Sequence, residues 1–311
     1  MKQLVEPVTG GNPMTQERYV RRSLQSISDE LTALNHPASP TTVGRLLEDL
    51  DYNLHVNIKR FTGPSHPDRD RQFRHIEETI AAFRDEGWPI LSVDAKKKEL
   101  IGNFKNAGAT WSRHGDEVNA HDFLSDAQCK AVPYGIYDVT AGHGHVVVGT
   151  SASTPEFAVD ALASYWSRIG CKRYAGAGAV LVLADAGGCN GCRPHVWKAR
   201  LQQWADRCGL VVTVCHYPTG ASKWNPIEHR LFGPISINWA GTPLRSPEVM
   251  LSCLRGTTNA SGLRVTAEWR DRVYACGVKV SKAEMAEVRL VRNDLCPQWN
   301  YSIEPKGLWT T

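Results

Sequence analysis

Val180-Leu181-Val182-Leu183-Ala184-Asp185-Ala186-Gly187-Gly188 decides how this 311-residue chain folds. Its apolar run has no polar face, which marks a strand buried on both sides within a helix-covered sheet. The run ends on a carboxylate, and the two glycines that follow let a backbone or a phosphate approach closely. Pro89-Ile90-Leu91-Ser92-Val93-Asp94 repeats the pattern, and Leu210–Cys215 is a third apolar strand. Taken singly, each acid has a plainer reading: Asp94 as an exposed strand-end residue, Asp185 as a turn former.

Other elements lie around these runs. Val132–Val139 and His145–Thr150 read as a hairpin about Gly142-His143-Gly144. Thr154-Pro155-Glu156 opens a helix with the apolar stripe Phe157, Ala161, Leu162, Tyr165 and Ile169. Further helices are expected over about His75 to Glu86, over His195 to Cys208, and from Ser246-Pro247-Glu248. The order strand, hairpin, helix, strand, helix, strand, helix implies an α/β fold. Its mixed five-stranded sheet is flanked by helices, which is the ribonuclease H-like arrangement. There the first and fourth strands are neighbours, so Asp94 and Asp185 converge at one sheet edge.

A third acid follows the last strand, in Ser222-Lys223-Trp224-Asn225-Pro226-Ile227-Glu228-His229-Arg230. Asn225, Pro226 and Glu228 fall at N-cap, N1 and N3, so a capping-box-like helix start can explain the motif. The other reading is chemical. Asp94, Asp185 and Glu228, delivered by two strands and a helix start, could bind two Mg²⁺ (or Mn²⁺) ions for phosphoryl transfer. Cys189, Cys192 and His195 have the spacing of half a zinc site, but no second C-x-x-C pair is present. His216 and His229 are expected to contact phosphate or to pack.

Hydrophobic residues make up 42% and charged ones 22% of the chain, the composition of a globular protein. No apolar run reaches the ~18 residues of a membrane helix, and no signal peptide opens the chain. Nine cysteines, odd in number and scattered, read as reduced thiols in a cytoplasmic protein. The net charge is +4, and residues 1–80 carry 10 basic against 11 acidic side chains. DNA binding by this part therefore rests on pattern. Residues 1–17 read as a loose arm. Val20, Leu24, Ile27, Leu31 and Leu34 have helical spacing, Asn35-His36-Pro37 breaks it, and Ser39-Pro40 starts a second helix. That is a helix-turn-helix shape, with Thr41, Thr42 and Arg45 exposed at the second helix start. A helical hairpin that only packs is the alternative.

Several stretches together resemble one group of bacterial insertion-sequence transposases, the group with the Rhodopirellula-type DDE domain. They are Asp94–Leu100, Gly102-Asn103-Phe104-Lys105-Asn106, Val132–Asp138, Ala184–Gly188, Lys223–Phe232 and Trp299-Asn300-Tyr301-Ser302-Ile303. The Asn-Pro-x-Glu element also resembles mariner-like transposases. The resemblance implies a catalytic Asp94–Asp185–Glu228 triad with two Mg²⁺ or Mn²⁺ ions. It implies cleavage and strand transfer of DNA, with terminal inverted repeats and target DNA as partners, by a homo-oligomer at the nucleoid. Lys96, Lys97, Lys98, Lys105 and Lys223 are expected to neutralise phosphates. The expected division is a helix-turn-helix segment over 1–56, a linker over 57–74, the catalytic domain over 75–245 and a packed extension over 246–311. Such transposases carry more DNA-binding sequence ahead of the catalytic domain, so the N-terminus is expected to be truncated; Cys189 stands where serine is usual. Two alternatives remain: an inactive remnant that only binds DNA, and a ribonuclease H-like nuclease.

Overall fold

The structure, a computed structural model, describes residues 9–11, 18–20, 22–54 and 66–307. It divides into two compact units, residues 1–62 and 63–311. In the first, β1 (Thr9–Gly11) pairs antiparallel with β2 (Arg18–Val20). Helices Leu24–Ala33 and Pro40–Glu48 follow and pack through Ile27, Leu31 and Val43. The first helix begins later than its apolar spacing suggested, because Ser23 caps it by accepting the Ser26 N–H at 3.1 Å. Ser39 caps the second as expected, accepting the Thr42 N–H at 3.2 Å. Apart from Thr9–Gly11, the arm expected over residues 1–17 lies outside the described residues, as does the linker up to residue 65.

The second unit is built on β3 (Ile90–Ala95), β4 (Glu99–Ile101), β5 (Cys129–Asp138), β6 (His143–Gly149), β7 (Ala179–Asp185), β8 (Val211–Tyr217), β9 (Arg264–Arg270), β10 (Leu290–Arg292) and β11 (Asn300–Ile303). The strand order is β10-β11-β8-β7-β3-β5-β6-β9, with β4 beside β5. The five expected strands form its middle, and β3 and β7 are parallel neighbours. The stretch 246–311 enlarges this sheet at both ends: β9 lies parallel to β6, and β11 antiparallel to β8. These edge strands mix polar and apolar residues, so no apolar run announces them.

Helices Pro155–Tyr165 and His195–Cys208 cover one face, over a core that includes Leu91, Val93, Val182, Trp197 and Trp204. The other face buries Ile90, Leu181 and Leu183 beneath the helix Arg69–Asp85. That helix begins inside the stretch 57–74 expected to be a linker. Its first turns are polar, yet Gln72 is fully buried. The Gln72 amide donates to the His216 carbonyl at 2.9 Å and to Asn300 Oδ1 at 2.7 Å, so a polar side chain serves as core. No helix among the described residues is long and apolar enough to cross a membrane.

Candidate active site

The β3–β7 register pairs Ser92 with Leu183 and Val93 with Ala184. One step on, Asp94 and Asp185 come side by side on the same sheet face. Both line a cavity of about 320 Å³, walled by the Gly187-Gly188 turn and by Pro218, Thr219, Gly220 and Ser222.

The segment carrying the third acid is seated across this sheet. A Cβ on Gly135 would come within 2.6 Å of Phe232 and 2.9 Å of Ile227, and one on Gly144 within 2.4 Å of Leu231. Glycine at these two positions lets the Glu228–Phe232 turn lie directly on β5 and β6. That turn is a π-helical widening, a form frequent at functional sites. Asn225 then links Asp185 to β3 beside Asp94. Fully buried, its amide donates to the Val93 carbonyl at 3.3 Å and to Asp185 Oδ1 at 3.2 Å. Its Oδ1 accepts the Ser92 hydroxyl at 2.5 Å, and Ser92 Oγ accepts the Ile227 N–H at 3.0 Å.

This arrangement replaces the capping box expected at Asn225 and Glu228. The Asn225 N–H donates to the Ser222 carbonyl at 2.9 Å. The Asn225 side chain turns into the sheet, where it accepts the proton of the buried Ser92 hydroxyl. Glu228 is thereby free of a capping role. Sequence reasoning missed Ser92, Gly135 and Gly144; the one polar residue inside an apolar strand was the available sign for Ser92.

The electrostatics separate these acids from ordinary buried ones. Asp138 is fully buried and fully served, by the hydroxyls of Tyr165 (2.7 Å) and Tyr174 (2.8 Å), by Arg173 (3.2 Å) and by the Ala141 N–H (2.9 Å). Among the described residues, Asp94 accepts only the N–H of its neighbour Ala95, at 2.7 Å, and Asp185 only the Asn225 amide. None of the three acids has a basic ion-pair partner among the described residues. Burial, with Asp185 and Glu228 nearby, pushes the Asp94 carboxyl up to about 7. Burial also raises Asp185, and burial with the Asp185 charge raises Glu228. Uncompensated negative charge on all-oxygen donors suits a hard divalent cation. Asp94 and Asp185 share the cavity, while Glu228 stands off its lining. Among the described residues no three His, Cys, Asp or Glu side chains close on one ion, the Cys189–Cys192–His195 set included.

His216 packs: it is fully buried between the Asp185 carbonyl (2.9 Å) and the Tyr301 hydroxyl (3.0 Å), and burial lowers it to about 4. His229 contacts the Lys223 carbonyl. Of the expected phosphate-neutralising lysines, Lys96 is near Glu228, bonding Ser236 at 2.8 Å beside Trp239. Lys223 lies 4.1 Å over the half-exposed Trp224 ring, next to the cavity wall at Ser222. Lys97, Lys98 and Lys105 are exposed, as are Thr41 and Arg45 in the first unit. Thr42 Oγ1 pairs with the capping Ser39 hydroxyl at 2.9 Å.

Three solved structures are similar over 77% of this chain and 70% of their own. The Mos1 transposase paired-end complex with left transposon end shares 15% identity at a TM-score of 0.42. The Mos1 mariner paired-end complex with Mn shares 14% at 0.42, and the Mos1 strand transfer complex 15% at 0.43. No curated protein matches the sequence. The family described as Rhodopirellula transposase DDE domain matches residues 1–305. The chain belongs to this family of DDE transposases.

Proposed function

We propose that Asp94, Asp185 and Glu228 together hold divalent metal, and that the chain cuts DNA at the ends of its own mobile element and joins them to target DNA. One observation carries this reading: Asp94 and Asp185 lie side by side, partly buried, at the carboxyl ends of two neighbouring strands, with Glu228 near enough at the adjoining helix start to feel the Asp185 charge and none of the three in an ion pair among the described residues. Their oxygens suit Mg²⁺ or Mn²⁺ better than Zn²⁺. Two such ions would activate a water or a DNA 3′-OH and stabilise the leaving oxygen. Asn225 is a positioning residue that fixes Asp185 against the segment leading to Glu228. Lys96 and Lys223 place positive charge for phosphates at the site, with Lys97, Lys98 and Lys105 along the approach. Thr41, Thr42 and Arg45 present the second helix of the first unit to DNA, and a homo-oligomer at the nucleoid brings two ends together. The test is cleavage and strand transfer on DNA carrying the element's inverted repeats, with Mg²⁺ or EDTA. Joined products lost in EDTA support the reading. Nicking without joining identifies a nuclease, and binding without cleavage an inactive remnant.

A further inference from the structure

Beside the acid cavity lies a larger one of about 810 Å³, and the two share Ala186, Gly187, Gly188 and Thr219 as a common wall. Arg193, His195, Lys198, Arg292 and His66 face it, and among the described residues no carboxylate lines it. Lys198 is the informative member. Only 4% of it is exposed. Its ammonium donates to one acceptor, the Cys192 carbonyl, and lies 5.3 Å over the Tyr301 ring. An ammonium has three protons to donate, and a buried lysine is rare unless an anion pairs with it. Lys198 has no such partner among the described residues. At the rim, Arg193 and Arg292 are exposed, and the His66 ring lies tilted against the largely buried Trp299 ring, 4.5 Å between centres.

We propose that this pocket seats a nucleotide of the DNA strand whose phosphodiester lies at Asp94 and Asp185. Its phosphate sits among Lys198, Arg193 and Arg292, and its base lies beside Trp299 and His66. The inference rests on the proposed function, because the shared wall makes the pocket the next station along a strand held at the acids. The volume lies in the ~300–1,000 Å³ range of small-molecule sites and exceeds what a bare phosphate needs. Cations interleaved with aromatic rings are the general means of holding a single strand.

The test uses the full chain and a labelled single strand of about ten nucleotides. Anisotropy gives affinity at several salt concentrations, and Mg²⁺-dependent cleavage is followed in parallel. R193A/R292A removes two exposed side chains, of which Arg292 also donates to the Pro297 carbonyl at 2.9 Å, so an unchanged melting temperature is checked alongside. It should weaken binding at least tenfold and flatten the salt slope by about 1.4, two phosphate contacts at ~0.7 each. Lys198→Met keeps the stem; it should weaken binding likewise while leaving the melting temperature equal or higher. Unchanged affinity in both variants overturns the pocket, even if the wild type cleaves DNA and the triad reading stands. Loss of binding in both variants of a chain that never cleaves supports the pocket and overturns the catalytic reading. Inorganic phosphate that competes as well as the oligonucleotide at matched ionic strength would reduce the pocket to a simple anion site and overturn the nucleotide assignment.

Discussion

Replacing Asp94 by Asn should make the metal-free protein more stable and inactive at once. The Asp94 carboxyl is lifted from 3.8 to about 7, first by burial and then by Asp185 and Glu228. Over that window the folded chain holds a proton that the unfolded chain has released. Stability therefore falls as pH rises from about 4 to about 7 and levels off above. At ~1.4 kcal/mol per unit, the cost is on the order of 4 kcal/mol at pH 8 and less than half that at pH 5. Asn carries no charge, keeps the size and can still accept the Ala95 N–H, so Asp94→Asn removes this cost. For a unit of this size the gain is roughly 5–15 °C in melting temperature at pH 8 in EDTA, and clearly smaller at pH 5. Added Mg²⁺ should raise the wild-type melting temperature and leave the variant nearly unmoved. Thermal melts at the two pH values, with EDTA or Mg²⁺, decide the matter. A variant less stable than wild type at pH 8, or a difference that ignores pH, would refute the reasoning.

Glu228→Gln should not lower stability, because burial and the Asp185 charge already disfavour the ionised Glu228, yet it should abolish cleavage, as paired melts and cleavage assays would reveal. Asn225→Ala takes from the buried Ser92 hydroxyl the acceptor of its proton and from Asp185 its amide donor, and should cost about 1–3 kcal/mol in urea unfolding besides lowering kcat. Gly144→Val drives a side chain into Leu231 and should lower cleavage more than it lowers DNA affinity, measured on one preparation. Arg45→Ala should weaken binding to the element's ends and reduce the salt slope without altering the circular dichroism spectrum; unchanged binding would leave the first unit a hairpin that only packs.

The centre of the fold was legible because β3, β7 and β8 are largely buried on both faces and so read as predominantly apolar runs. Their order, with the β5–β6 hairpin, was enough to bring Asp94 beside Asp185. The edge strands β9, β10 and β11 carry alternating or mixed residues, and their pairing depends on long-range partners that no local pattern announces. The start of the helix Arg69–Asp85 was hidden for a related reason: Gln72 is core only because Asn300, far along the chain, meets it. At the site, Asn225 was legible as a helix-start residue but its use was not. Whether an Asn caps its own helix or crosses to a neighbouring strand is decided by Ser92 and Val93. The cations Arg193, Lys198 and Arg292 converge only through tertiary packing of the His195–Cys208 helix against β11, which spacing along the chain does not encode.

The central claim, that Asp94, Asp185 and Glu228 form one metal site, is tested most directly by anomalous X-ray diffraction from crystals grown in Mn²⁺. Mn²⁺ peaks are expected within bonding distance of the Asp94 and Asp185 carboxylates, about 2.0–2.2 Å, with Glu228 drawn in to complete the set. Mn²⁺ bound only elsewhere, or Asp94 and Asp185 left bare at saturating Mn²⁺, would contradict it.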